Sequence, residues 1–200
     1  MVFFPADQAV PQTLRTPTFL LRQLRQAEAA IDYEAYMASP DVIRRHSGGR
    51  WQVDGFTLAQ EQHELALHEA RHRARQDFAF ILLTPDGVKG LGCVYVLPLM
   101  PFLRHVAAPT ALLAEVSDAT AIITFWVRQD CQHTRLAPHV VGAVHNWLLA
   151  EWPFDDHVFR VNLTENESIQ VLEQCGFHVR FELTMDEPPY HYLFYGKPAR

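Results

Sequence analysis

AIITFWVRQDCQHTRLAPHVVGAVHNWLLAEW, residues 121–152, decides the fold. Ala121–Val127 is apolar almost throughout and β-prone, the pattern of a strand covered on both faces. Leu136, Val140, Val144, Trp147 and Leu148 then recur at helical spacing and form one apolar stripe. Between them, residues 128–137 are rich in hydrogen-bonding side chains. A strand that feeds a loop opening a helix aims backbone N–H groups, and the positive end of the helix dipole, at whatever lies above the strand end. That arrangement suits a phosphate.

Bulk composition narrows the field. At 200 residues the chain is long enough for one domain with a sizeable core. A hydrophobic fraction of 48% against 20% charged is ordinary for a globular fold. The net charge of −6 argues against a nucleic-acid partner. Cys93, Cys131 and Cys175 form no C-x-x-C pair, and an odd count in apolar surroundings reads as reduced thiols in a cytoplasmic protein. No apolar run reaches membrane-spanning length, and the first residues lack the features of a signal peptide.

Phe125-Trp126-Val127, followed by Gln132-His133-Thr134-Arg135-Leu136-Ala137, resembles the fourth strand and cofactor loop of the GCN5-related N-acetyltransferases. In that family the loop reads (Gln/Arg)-x-x-Gly-x-(Gly/Ala), and its backbone amides hold the pyrophosphate of acetyl-coenzyme A. Gln132 and Ala137 fit; Arg135 stands where the family has glycine. Glycine lets backbone approach a phosphate oxygen closely. Arg135 either replaces that contact with a guanidinium–phosphate pair or crowds the loop. A second stretch, Asn166 and Ser168-Ile169-Gln170-Val171-Leu172-Glu173-Gln174-Cys175-Gly176-Phe177, is similar to N-x-x-S-x-x-φ-L-E-x-x-G-F of the branch that acetylates ribosomal proteins. Here Asn166 is two residues before Ser168 rather than three, so the strict pattern would put its amide at Glu165.

The rest of the chain fits the same frame. Residues 1–17, with three prolines and no period, read as a surface arm. Phe19–Leu24 reads as the first strand and Ala27–Ser39 as a helix ended by Pro40. Asp41–Phe56 reads as a loop. Thr57-Leu58-Ala59-Gln60 is a capping box opening a helix to about Gln76. Phe78–Thr84 and Gly90–Leu97 read as strands joined by the turn Pro85-Asp86-Gly87. Residues 98–118 read as a loop with one helical turn. Val158–Leu163 is a strand, Asn166–Gly176 a helix with Gly176 as its left-handed cap, and His178–Met185 and Tyr190–Tyr195 are closing strands about a turn at 186–189. The reading is an α/β (α+β) single domain over residues 1–200: the acyl-CoA N-acyltransferase fold, with a mixed central sheet of about seven strands flanked by helices.

One motif competes. His68-Glu69-Ala70-Arg71-His72 matches H-E-x-x-H, the zinc-peptidase signature. With 11 histidines in the chain a chance match is common. On a helical wheel His68 and His72 lie about 200° from the Ala66, Ala70, Ala74 stripe. Glu61, Glu64, Arg71 and Arg75 keep their side polar, so the pair is expected in solvent, with no metal.

The resemblance implies direct acetyl transfer from acetyl-CoA to a primary amine of a small molecule or a peptide N-terminus, with no metal and no membrane or nucleic-acid partner. A homodimer is left open. It assigns cofactor contacts to Phe125, Trp126, Val127, Gln132–Ala137 and Asn166, and the acid that protonates the leaving thiolate to Ser168. Tyr33 and Tyr36 would wall the acceptor site, or else serve as amphipathic core residues. The tyrosine other branches use as acid is Leu172 here. The fourth-strand glutamate common in the family is Ile122, leaving Glu115, Asp118, Tyr33 or a histidine as base. The acidic net charge tilts the acceptor toward cationic amines. A non-catalytic acyl-CoA-binding module is the alternative.

Overall fold

The structure, a computed structural model, describes residues 3–51, 53–185 and 190–197. The turn expected at 186–189 lies outside them. One mixed sheet carries the fold, in the order β1-β2-β3-β4-β5-β6-β8-β7. Its strands are β1 (Thr13–Arg15), β2 (Leu20–Gln23), β3 (Phe78–Leu83), β4 (Gly90–Pro98), β5 (Thr120–Val127), β6 (Asp156–Asn162), β7 (His178–Met185) and β8 (Tyr190–Gly196). Every pairing is antiparallel except β5 with β6. The helices are α1 (Ala29–Met37), α2 (Pro40–His46), α3 (Leu58–Arg73), α4 (Leu99–His105), α5 (Thr110–Glu115), α6 (Leu136–Glu151) and α7 (Asn166–Gln174).

The alternation of side chains along β5 sorts the core into two layers. Ala121, Ile123, Phe125 and Val127 join Val140, Val144, Trp147 and Leu148 of α6 and Leu172 of α7. Ile122 turns to the opposite face, under Leu99 and Leu103 of α4. Trp126 shares that face with Tyr36 of α1, Ile43 of α2 and Leu65 of α3.

The parallel ladder is short, and its shortness makes the site. Pairing of β5 with β6 runs only from Thr120↔Asp156 to Ile123↔Phe159. Beyond it Thr124–Val127 pair with β4 alone, so the two strands part as a fork. On the other edge of β5, Gly92 takes φ +141 beside an irregularity in the β3–β4 register. A Cβ there would sit 2.0 Å from the Trp126 carbonyl oxygen, so only glycine lets the strands close at that level.

Several sequence expectations need correction. The sheet has eight strands among the described residues, because residues 13–15 add β1 at the edge. Residues 3–17 are therefore more than a surface arm: Phe4 is fully buried, edge-on to Phe78 and Trp152. Residues 41–56 are not all loop, since α2 spans Pro40–His46 with its proline in the first turn. Residues 98–118 hold two helices. Pro101 falls in the first turn of α4 and Pro109 is the N-cap of α5, where a missing N–H costs nothing. The helix after Thr57 has its capping box but ends at Arg73.

Candidate active site

The fork opens onto the loop between β5 and α6. A short 3-10 turn, Gln129–Cys131, leaves the strand, and Gln132 folds back so that its Nε2 donates to the Val127 carbonyl at 2.8 Å. His133 takes φ +61, and the Thr134 hydroxyl donates to the Cys131 carbonyl and accepts from Leu136 N–H. Among the described residues the amides of His133, Arg135 and Ala137 have no hydrogen-bond partner. They sit at the start of a 16-residue helix that has no side-chain N-cap. Arg135 is exposed and forms no ion pair among the described residues, so the loop adds an available guanidinium to these donors. Arg135, Thr134, Leu136 and His139 also line a cavity of about 670 Å³ that reaches Thr18 and Leu91.

Phe125 and Val127 point into the α6 layer and Trp126 into the opposite one, all three buried. Their side chains are committed to packing, so this strand can offer a ligand chiefly its backbone edge. Ser168 stands in the first turn of α7 and lines, with Gln132, Glu165, Glu167, Val42 and Arg45, a narrow slot of about 10 Å³. Asn166 begins α7 but is exposed and makes no cap; Glu165 is the N-cap residue.

Helix α2 crosses this slot and is fastened on both sides of it. Toward α7, the buried His46 Nδ1 meets Glu165 Oε2 at 2.9 Å. Glu165 Oε1 in turn accepts from Asn162 N–H at 2.7 Å. Toward the loop, Asp41 N–H donates to Gln129 Oε1, Gln129 Nε2 donates to Asp41 Oδ2, and Gln129 N–H donates to the Ser39 hydroxyl. Arg128, at the end of β5, grips Glu34 of α1 with two guanidinium nitrogens and Asp130 with a third. That grip holds Glu34 below the usual carboxylate range.

A cavity of about 470 Å³ opens between α1, α3 and β4, walled by Tyr36, Trp51, Phe56 and Tyr95. At its inner end Asp32 and Glu61, each 4% exposed, are hydrogen-bonded to one another. Burial, then the bond and charge of Asp32, push Glu61 up to about 9. Burial also raises Asp32, against the bonds from Glu61 and from the Cys93 thiol, which donates to Asp32 Oδ1 at 3.1 Å. Glu61 therefore carries its proton at neutral pH, within its hydrogen bond to Asp32. Tyr36 is buried on this wall, 5.0 Å from the Phe56 ring. Tyr33 lies beside it, half-buried, its hydroxyl donating to the Phe56 carbonyl.

The two histidines of the H-E-x-x-H motif are not in solvent. Glu61, Leu65, His68 and His72 form the packed stripe of α3, while Ala70 and Ala74 are exposed. His72 packs edge-on against Phe78 and Phe80, and His68 lies 5.5 Å from the Tyr95 ring. Burial lowers both to about 4, with Arg71 adding to the effect at His68 and Arg25 at His72. Among the described residues no group of three or more His, Cys, Asp or Glu is arranged to hold a metal ion. Glu115 and Asp118 are exposed, Asp118 facing Arg104 at 3.8 Å. The Asp32–Glu61 pair was not found from sequence, because no local pattern joins an α1 aspartate to an α3 glutamate 29 positions later.

A family model described as an acetyltransferase (GNAT) domain matches residues 18–178. The chain belongs to the GNAT acetyltransferase family. Solved structures with the same fold include ribosomal-protein-S5-alanine acetyltransferase from Vibrio fischeri, 13% identical, covering 94% of this chain and 96% of that one at TM-score 0.65. RimL, a ribosomal L7/L12 α-N-protein acetyltransferase solved with coenzyme A, is 9% identical, with coverage of 92% and 96% and a TM-score of 0.70. The microcin C7 self-immunity acetyltransferase MccE, solved with acetyl-CoA and AMP, is 12% identical, with coverage of 91% and 93% and a TM-score of 0.67. No curated protein sequence matches the chain. Among the described residues no helix is long and apolar enough to cross a membrane.

Proposed function

We propose that the protein is an acetyl-CoA-dependent N-acetyltransferase that moves the acetyl group directly to a primary amine. The observation that carries this is the set of unpartnered amides at His133, Arg135 and Ala137, at the start of α6 and at the open end of the β5–β6 fork. Two relatives of the fold hold coenzyme A or acetyl-CoA, which supports the same ligand here.

In this reading the pyrophosphate sits on the loop amides and Arg135. The pantetheine runs back along Thr124–Val127, about 13 Å at ~3.3 Å per residue, to the apex of the fork. A backbone N–H of β5 steadies the thioester oxygen as charge develops on it. The amine enters past Tyr36, Trp51 and Tyr95. The Asp32–Glu61 pair faces the entering amine, and Asp32 accepts its proton directly or through one water. The amine nitrogen then attacks the thioester carbon. The C–S bond breaks as the C–N bond forms; the thiolate takes the hydroxyl proton of Ser168, which lines the slot with Gln132, and Ser168 regains a proton from the nitrogen as the amide forms.

Calorimetry with acetyl-CoA on wild type and Arg135→Ala tests the reading. The expected result is micromolar binding, weakened about tenfold in the variant through loss of one charge-assisted bond. No binding to wild type would overturn it. Tight binding with no transfer to any amine of a broad panel would leave a non-catalytic acyl-CoA-binding module instead.

A further inference from the structure

The register of the fork fixes an arginine at its apex. Ile123↔Phe159 is the last β5–β6 pair, and both side chains lie in the α6 layer. The next residues, Thr124 and Arg160, therefore share the opposite face, on either side of the point where the strands part. Arg160 is largely buried, yet among the described residues it has no ion pair and no side-chain hydrogen bond. Its guanidinium packs against two rings, 4.7 Å from the centroid of Tyr192 and 5.2 Å from that of Phe102. The nearby carboxylate of Glu165 is already engaged, by His46 on one oxygen and Asn162 N–H on the other.

A second arginine faces the same place. Arg50, from the loop after α2, donates to the Ser47 carbonyl and to the Tyr192 hydroxyl at 3.1 Å each, and lies 4.8 Å over the Tyr190 ring. The Tyr190 hydroxyl is itself buried without a partner among the described residues. The loop comes this near because Gly48 lies against Tyr190: a Cβ there would meet the ring at 2.3 Å. Arg50 also lines the cavity that holds Asp32 and Glu61, so it borders both regions.

A guanidinium packed against two aromatic rings, with its nearest carboxylate already engaged, is poorly compensated, and an arriving anion offsets that cost. We infer that Arg160, assisted by Arg50, binds an anionic group, carboxylate or phosphate, on the acceptor, so that the substrate is an amine that also carries a negative charge. The rings hold the planar fork of Arg160 in place, which favours two-pronged recognition of such an oxyanion. The opposed groups, carboxyl pair at one end and arginines at the other, orient a zwitterion with its amine toward the thioester. This assignment rests on the acetyl-transfer reading.

The test compares kcat/KM on matched amines at saturating acetyl-CoA: phenylalanine with phenylalaninamide, and phosphoethanolamine with ethanolamine. The anionic member of at least one pair is expected to be favoured about 10- to 100-fold, and which pair responds distinguishes carboxylate from phosphate. Arg160→Gln should bring that ratio toward one, and Arg160→Lys should restore part of it. Equal rates within both pairs, or a ratio untouched by Arg160→Gln, would overturn the inference. Arg50→Gln gives the same reading if Arg160→Gln does not fold. If acetyl-CoA binds but no panel member reacts, the acetyl-CoA complex is titrated calorimetrically with inorganic phosphate and with acetate. Saturable binding lost in Arg160→Gln supports the site, and no saturable binding of either anion refutes it. Failure to bind acetyl-CoA is a separate result, against the enzyme reading itself.

Discussion

The two faces of the sheet are built from different materials. Beneath α6 and α7 the buried side chains are aliphatic and aromatic, His157 apart, with Phe80, Trp147 and Trp152 edge-on to one another. On the other face the buried set includes Asp32, His46, Glu61 and Asn162, with the largely buried Arg160 beside them. Burial of charge costs stability unless it is paired. One face thus supplies the hydrophobic gain, and the other uses part of it to hold polar groups where chemistry needs them. Substitutions on the first should change stability alone, whereas those on the second should change stability and catalysis together.

The strongest break of this contrast is Gly92→Ala, on the strand both faces share. Its Cβ collides with the Trp126 carbonyl, so we expect a loss of about 3 kcal/mol or more in urea unfolding, with loss of acetyl transfer. Next comes His46→Ala, which strands the buried Glu165 carboxylate. A loss of about 3 kcal/mol is expected, together with a raised KM for acetyl-CoA. The control is Phe159→Leu beneath α7, expected to cost about 1 kcal/mol with KM unchanged. A shifted KM in the control would dissolve the contrast.

Acidity sharpens it further. Glu61 titrates at about 9 when folded, far above its value in the unfolded chain. Between pH 4.5 and 9 the folded state binds more protons, so this group's stabilisation is full below pH 4.5 and lost as pH rises through 9. Glu61→Gln should flatten that alkaline decline, measured by thermal unfolding at pH 6 and pH 9. The smallest effect lies at the acid end. His72 is lowered to about 4 by burial, so its contribution is present above pH 6.5 and fades as pH falls toward 4. His72→Phe should reduce the slope of stability against pH in that window. An unchanged slope would mean that the ring is wetter than its packing against Phe78 and Phe80 implies.

Much of the fold was legible because its strands and the long helix carry strong periodic signals. β3, β4, β5, β7 and β8, the capping box at Thr57 and the left-handed Gly176 all lie where their residues direct. Short helices were hidden by their prolines. Pro40, Pro101 and Pro109 read as breakers, but each stands at a helix start. The orientation of α3 was hidden for a physical reason too: its packed stripe runs through Glu61, His68 and His72, and hydrophobic patterning assigns such residues to solvent. The candidate cofactor loop could be read because it is contiguous. The proposed acceptor side could not, because Asp32, Arg50, Glu61 and Arg160 come from four separate segments.

Helix α2 has a further consequence. It borders the Ser168 slot through Val42 and Arg45, and its C-terminal loop carries Gly48 and Arg50 to the far side of the fork. One short element therefore borders both proposed substrate sites. Thermodynamic reciprocity then binds the two: whatever factor acetyl-CoA adds to the affinity for the amine, the amine must add to the affinity for acetyl-CoA. The contacts of His46 with Glu165 and of Asp41 with Gln129 hold that element in place, so in the proposed reading weakening either should change that factor.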